Sequence, residues 1–356
     1  MARRFRIRTL LVMMFLACCV LFWVNRRITL AKRQQNAADQ IISLGGTVHY
    51  RITKPFQVDK KPTLGSRLLR LIIGDVEFAP LDSLTLDAPA TAKEEELTCL
   101  ADLPHLRNVG FAGEAFGDRA MEHLTTAEEL QILTLTDVGV TCQGWRHLSR
   151  FQRLRTFHLE YTATKSSAAA TLGDEDLAAL ANLKELDSLM LIGVSISGRG
   201  LRRLRGLDKL RYLHIEGGDL SQGGFEHLED LPSLRFLVLP NANIDDQGAA
   251  QIAKLSQISA LHLQGNPLSD DGVIPLAKLG KLRTLRIHDT QISDRCLPHF
   301  LPCKHLNSLS IGPEVTEGAA MDFKAAKPAC RIALIHPNKE GYPRRKKSAN
   351  PLGAIP

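Results

Sequence analysis

Aromatic residues make up only 5% of this 356-residue chain, so its core has to be built from aliphatic side chains. Several chemical signatures are missing as well. No CxxC pair and no Cys/His cluster with zinc-ligand spacing occurs, so no metal site is expected. No GxSxG, HExxH or GxxxxGK[ST] stretch occurs, so neither a nucleophile elbow, a zinc protease helix nor a phosphate loop is expected. Without these constellations the chain reads as a non-enzyme that needs no cofactor. The folded body also lacks a basic excess. Residues 1–33 hold eight basic side chains and no acid, and residues 343–356 hold four more, Arg344, Arg345, Lys346 and Lys347. Setting these twelve aside leaves 33 basic against 38 acidic residues, so the overall +7 becomes −5 between them. A nucleic-acid binder carries its positive stripe on the folded surface, and here the positive charge sits at the ends.

Seven cysteines are present, and an odd number outside the apolar stretch cannot all pair within the chain. Cys142 and Cys296 read as small buried apolar residues. A bridge among Cys296, Cys303 and Cys330 stays open, because spacing alone does not decide it.

One apolar run stands out, from Thr9 to Val24, with arginines on both sides. Its 16 residues would span about 24 Å as a helix, short of a ~30 Å hydrocarbon core by an amount that snorkelling arginines and local thinning can cover. A small-x-small cleavage site does not close the run. A lipoprotein reading at Cys18 would leave the very apolar Cys-Val-Leu-Phe-Trp as mature N-terminus. An uncleaved signal anchor, residues 1–30, is therefore expected. Basic residues are nearly balanced across the run; the short charged N-terminus favours N-terminus inside and repeats outside the cytoplasm. Residues 31–79 read as a juxtamembrane helix ended by Gly45-Gly46, an alternating strand at 47–52, and a polar Pro-containing linker at 53–65.

Between residues 80 and 336 the chain repeats. Leu183, Leu207, Leu231, Leu255 and Leu279 are 24 apart, as are Leu189, Leu213, Leu237, Leu261, Leu285 and Leu309. Further columns run through Leu186, through Leu191, through Ile196, and through Gly200, Gly224, Gly248, Gly272 and then Cys296. Upstream, Leu106, Leu130 and Leu154 keep the phase, and eight residues are inserted between Thr162 and Leu172. Leu84 and Leu86 fit an N-terminal cap strand, and Ala333 and Ile335 a last one.

These columns resemble the leucine-rich-repeat family, and more closely bacterial membrane-anchored members with 24-residue units of the form L-x-x-L-x-x-L-x-L-x-G-x-x-I-[ST]-D-x-G-L-x-x-L. The resemblance implies an α/β fold: a solenoid, or horseshoe, with a parallel inner sheet and short outer helices, carrying an N-terminal transmembrane helix. It departs from the pattern at the family's Asn position, occupied here by Val194, Gly218, Ala242, Asn266 and Thr290, so no continuous buried Asn ladder is expected. Within a unit, L-x-L turns two leucines to one face of a strand. Ser197, Ser221, Asp245, Ser269 and Ser293 are placed to cap the short return helices. The acidic pairs Asp245-Asp246 and Asp270-Asp271 sit at helix starts, where the dipole favours them. The run from Gly217 to Gly224 places its glycines on repeat turns.

The phase also names the outward side chains. Tyr212, His214, Phe236, His262, Arg286 and His288 fall in one patch on the inner sheet, an aromatic and arginine mixture of the kind that anchors protein interfaces. His158 and His214 are about two strands, ~10 Å, apart and cannot share one ion, and His262 with His288 lacks a third ligand. The expected role is a membrane-tethered binding or scaffold module for a protein or cell-envelope component. The alternative is an envelope protein that associates with copies of itself. The small polar insertion at 163–170 reads as a surface loop, and residues 337–356 as a disordered basic tail.

Overall fold

The computed structural model describes residues 7–50, 81–87, 93–162 and 172–335. The linker at 53–65, the insertion at 163–170 and the tail at 337–356 lie outside the described residues. The chain forms two compact units, Met1–Thr156 and Phe157–Pro356.

In the first unit one helix, α1 (Ile7–Ser43), runs without a break from the apolar stretch into the segment expected to be a separate juxtamembrane helix. Its last three turns are structural. Ala31, Ala37, Ala38 and Ile41 are buried, at helical spacing, against a 3₁₀ segment (Glu94–Asp102) whose Leu97 and Leu100 are buried in turn. Gln40 Nε2 donates to the Glu96 carbonyl at 2.7 Å. Gly45, at φ 88, ends the helix, and strand β1 (Thr47–Tyr50) turns back antiparallel to β2 (Leu81–Asp87). Strands β3 (Asn108–Ala112) and β4 (Ile132–Thr136) then add in parallel, pairing Leu84 with Val109 and Val109 with Leu133. The N-terminal end of these strands is thus covered by α1 and β1, which shields an edge and its apolar residues.

The second unit begins one residue into β5 (Thr156–Glu160) and continues through β6 (Ser188–Ile192), β7 (Tyr212–Glu216), β8 (Phe236–Val238), β9 (Ala260–His262), β10 (Thr284–Arg286), β11 (Ser308–Ile311) and β12 (Arg331–Leu334). Each strand lies beside the next in chain order. From β6 to β11 the pairing is parallel and joins Leu189, Leu213, Leu237, Leu261, Leu285 and Leu309 in one column, all fully buried. Parallel neighbours need a crossover, and here short α or 3₁₀ segments supply it, for example Gly198–Leu204 and Asp246–Ile252. The last step is one residue short: Leu309 pairs with Ile332 and Ile311 with Leu334, where Ala333 and Ile335 were expected. A one-residue slip exchanges the two faces of a strand, and it gives Ile332 and Leu334 the positions next to the leucine column in place of a smaller alanine.

Two devices lock unit to unit. Asn266 is 2% exposed; its amide oxygen accepts the Ala242 and Ile244 N–H groups at 3.1 and 2.9 Å, and its nitrogen donates to the Leu239 and Leu263 carbonyls at 2.8 and 2.9 Å. At Thr290 only a local bond to the Ile287 carbonyl remains, 2.6 Å, so the ladder is confined to one rung as expected. The second device was not anticipated. Asp118, Asp174, Asp246, Asp270 and Asp294 each accept both the backbone N–H and the hydroxyl of a Ser or Thr in the next unit: Thr141, Ser197, Ser269, Ser293 and Thr316. The N–H distances are 2.7–2.9 Å. The same column holds Cys142, Gly198 and Gln222 elsewhere.

Ser197, Ser269 and Ser293 also cap their own helical segments, accepting from the Arg199, Asp271 and Arg295 amides, and Asp245 accepts from Gly248. Ser221 does not cap: Gly223 and Gly224 take φ values of 79 and 89, and the turn begins only at Phe225. A Cβ on Gly224 would stand 2.1 Å from the Gly198 carbonyl oxygen, so backbone of successive units meets there and only glycine fits.

Cys142 is exposed, contrary to expectation. It stands two residues before the buried Gly144, which occupies the glycine column, so Cys142 falls on the outer start of its helical turn. Cys296, Cys303 and Cys330 are buried free thiols. Burial first, then the nearby Asp270 carboxylate, pushes the Cys296 thiol up to about 12, which keeps it protonated and unreactive.

Candidate functional site

The alternation of β7 sets the geometry of the open sheet face. Leu213 and Ile215 are buried, so Tyr212, His214 and Glu216 point the other way. Parallel pairing then carries Tyr212 to Phe236, Ala260 and Thr284, and His214 to Val238, His262 and Arg286, strand by strand. Five of the six residues expected in a patch therefore share one face.

The Tyr212 and Phe236 rings lie 6.2 Å apart between centroids at an interplanar angle of 35°, and the Tyr212 ring meets His214 edge-on at 6.4 Å. Phe236 is 41% exposed. Beside it Val238 and Ala260 are buried, so the apolar part of the face is smaller than the column suggests. Arg286 is exposed, and among the described residues no carboxylate lies within ion-pair distance of it.

The histidines differ among themselves. His214 Nε2 lies 3.5 Å from Glu216 Oε2, yet neither of its ring nitrogens makes a hydrogen bond. The same spacing recurs on β5, where His158 Nε2 lies 3.5 Å from Glu160 Oε2. His262 is driven down to about 4, first by burial and then by the electrostatic influence of Arg286, with smaller influences from His214 and His288. It stands as a neutral ring at neutral pH, able to donate from one nitrogen and accept at the other.

His288 corrects the sequence reading. It was expected to project outward beside Arg286 but is 5% exposed. An outward register position does not ensure exposure, as buried Val238 and Ala260 on the same face show, and at His288 the chain is about to turn, with Asp289 at φ 55. Burial is also the first cause of the lowered His288 titration, opposed by Asp289, whose Oδ2 lies 3.9 Å from Nε2, and reinforced by Arg286.

Sequence reasoning passed over the His-x-Glu pairs, although their spacing of two on a strand puts both side chains on one face. The repeat phase puts Ser310 in the outward column with His262 and Arg286, outside the named patch; it pairs with Arg286 on the next strand and extends the polar end of the face. Among the described residues no group of three or more His, Cys, Asp or Glu side chains is arranged to hold a metal ion. What the face offers is a tilted aromatic pair at one end and a strip of hydrogen-bond donors at the other.

One short parallel strand per unit, aliphatic columns in register and helical or 3₁₀ returns make this the fold of a leucine-rich-repeat protein, α/β with a parallel strand sheet. No family model matches the chain, and no curated protein matches it. Among solved structures it is similar to internalin C2 from Listeria monocytogenes, at 21% identity, with 60% of this chain and 83% of that chain covered and a TM-score of 0.42.

Proposed function

We propose that this chain is a membrane-tethered binding or scaffold module that takes a protein or cell-envelope component on the open face of β7–β10. The observation that carries the reading is the exposed Phe236 in tilted ring contact with Tyr212. A large apolar ring on a strand normally turns inward, and one left outward beside an arginine has the composition of an interface anchor. The tether is α1. It is long and apolar enough to cross a membrane by length and composition, a test that a signal sequence also passes, and its side chains from Leu11 to Trp23 are exposed. Leaving that stretch in water would expose an apolar surface far larger than an isolated side chain. The repeats then lie outside the cytoplasm.

The test is capture from intact cells. Chemical crosslinking followed by purification of the full-length chain is expected to recover a partner. Tyr212→Ala or Arg286→Glu is expected to reduce that recovery at least tenfold while thermal unfolding stays unchanged. Equal recovery with wild type and both variants would move the site off this face. Concentration-dependent self-association insensitive to both substitutions would favour a packing role instead.

A further inference from the structure

Resting on the open-face reading above, we infer that the partner presents an acidic peptide segment, with a carboxylate about three to four residues from an aromatic or aliphatic side chain. The polar end of the face has positive charge and donors without a resident acid. His262, Arg286 and Ser310 occupy paired positions on β9, β10 and β11, giving three consecutive groups in one column that can donate to an oxyanion. Arg286 is exposed and has no ion-pair partner among the described residues, and Arg283, just before β10, is exposed as well. The two acids near this column are already turned to histidines: Glu216 to His214 at 3.5 Å and Asp289 to His288 at 3.9 Å. The groups acting on His262 are Arg286, His214 and His288, all of them bases. An exposed guanidinium free of carboxylate partners, with histidines around it, is complementary to a carboxylate, which it can take in bidentate fashion.

The spacing of the two ends sets the length of the ligand. Phe236 lies on β8 in register with Thr284 of β10, so Arg286 is two strand separations across and two residues along, or about 12 Å away. An extended peptide rises about 3.3 Å per residue, so about three to four residues bridge an apolar side chain on the Tyr212–Phe236 pair and a carboxylate at Arg286. The backbone groups of β8, β9 and β10 are engaged by their neighbouring strands, so the peptide is read by side chains and crosses the strands rather than joining them.

The experiment is a selection of random displayed dodecapeptides on the full-length chain in detergent micelles, keeping only clones lost on Phe236→Ala. The expected clones carry Asp or Glu about three to four positions from an aromatic or aliphatic residue. They bind Arg286→Gln at least tenfold more weakly, recover part of the affinity with Arg286→Lys, and weaken steeply as salt rises. Unchanged melting of each variant confirms that the fold is intact. Phe236-dependent clones without acids, or clones that bind Arg286→Gln as well as wild type, overturn the acidic partner and leave the binding face standing. A selection that yields no Phe236-dependent clone overturns both.

Discussion

His262 on β9 and Arg286 on β10 occupy paired register positions, and this pairing, after burial, is the largest influence holding the imidazole neutral. An unfolded histidine titrates near 6.5, while His262 in the fold titrates at about 4. Between those values the unfolded chain binds a proton that the folded chain refuses. The contribution to stability is therefore complete above pH ~6.5 and is lost as pH falls from there to ~4, by about 3 kcal/mol. His288 shifts in the same direction and adds to the slope. A histidine-resolved NMR titration is expected to place His262 near 4, and Arg286→Gln to raise that midpoint. A wild-type midpoint near 6.5 would show that the ring is solvated.

Asn266→Ala is expected to destabilise the second unit by about 2–4 kcal/mol, because two N–H groups and two carbonyls around a buried amide lose their partners together. Thr290→Ala removes one local bond and is expected to cost about 1 kcal/mol. Denaturant unfolding measures both. Equal costs would mean that Asn266 contributes no more than a single local contact.

Asp246 and Asp271 lie in the helical segments of successive repeats, Asp246–Ile252 and Asp270–Val273, and do different things. Asp246 accepts the N–H and hydroxyl of Ser269 in the next unit, whereas exposed Asp271 pairs with exposed Arg295 at 2.8 Å. Asp246→Ala is expected to cost about 1–3 kcal/mol, since it strands a partly buried amide. Asp271→Ala is expected to cost under about 1 kcal/mol, as exposed ion pairs do. Paired unfolding curves of the two variants decide whether the contact between units matters.

Ile41 and Ile42 are neighbours on α1 with opposite environments, one fully buried against the 3₁₀ segment and the other exposed. Ile41→Asp is expected to loosen the N-terminal end of the first unit, with faster amide exchange across residues 94–103, because a buried charge replaces an aliphatic contact. Ile42→Asp is expected to leave exchange unchanged. Identical exchange in both variants would mean that α1 does not cover the repeats in solution.

The fold was legible because its physics is periodic. A leucine every 24 positions needs only a strand and a return to become a column, so Leu213 and Leu237 could be placed from spacing alone. What escaped was local. The slip at Ile332 depends on relative side-chain volumes in a single strand. The burial of His288 depends on how its neighbours and the turn at Asp289 cover it, and the exposure of Cys142 on its offset from the glycine column. The aspartate contacts were visible as a recurring residue, but helix-dipole reasoning explained them sufficiently and their reach into the following unit went unseen. Of the face itself, the alignment of Tyr212 with Phe236 followed from the repeat, whereas the isolation of Arg286 from acids needed coordinates.

The aspartate contacts make the length of this chain an editable quantity, but only in whole steps. Excising residues 247–270 would bring Ser293 to the distance along the chain at which Asp246 now meets Ser269, and Leu285 to the place of Leu261 beside Leu237. The Asp246 carboxylate would again find its donors and every leucine a column, although the rung at Asn266 would be lost. An excision of 23 or 25 would satisfy neither. In such a molecule, duplication and loss of genetic segments are filtered by arithmetic before any partner is involved, and lineages would be expected to gain and lose repeats in multiples of one unit.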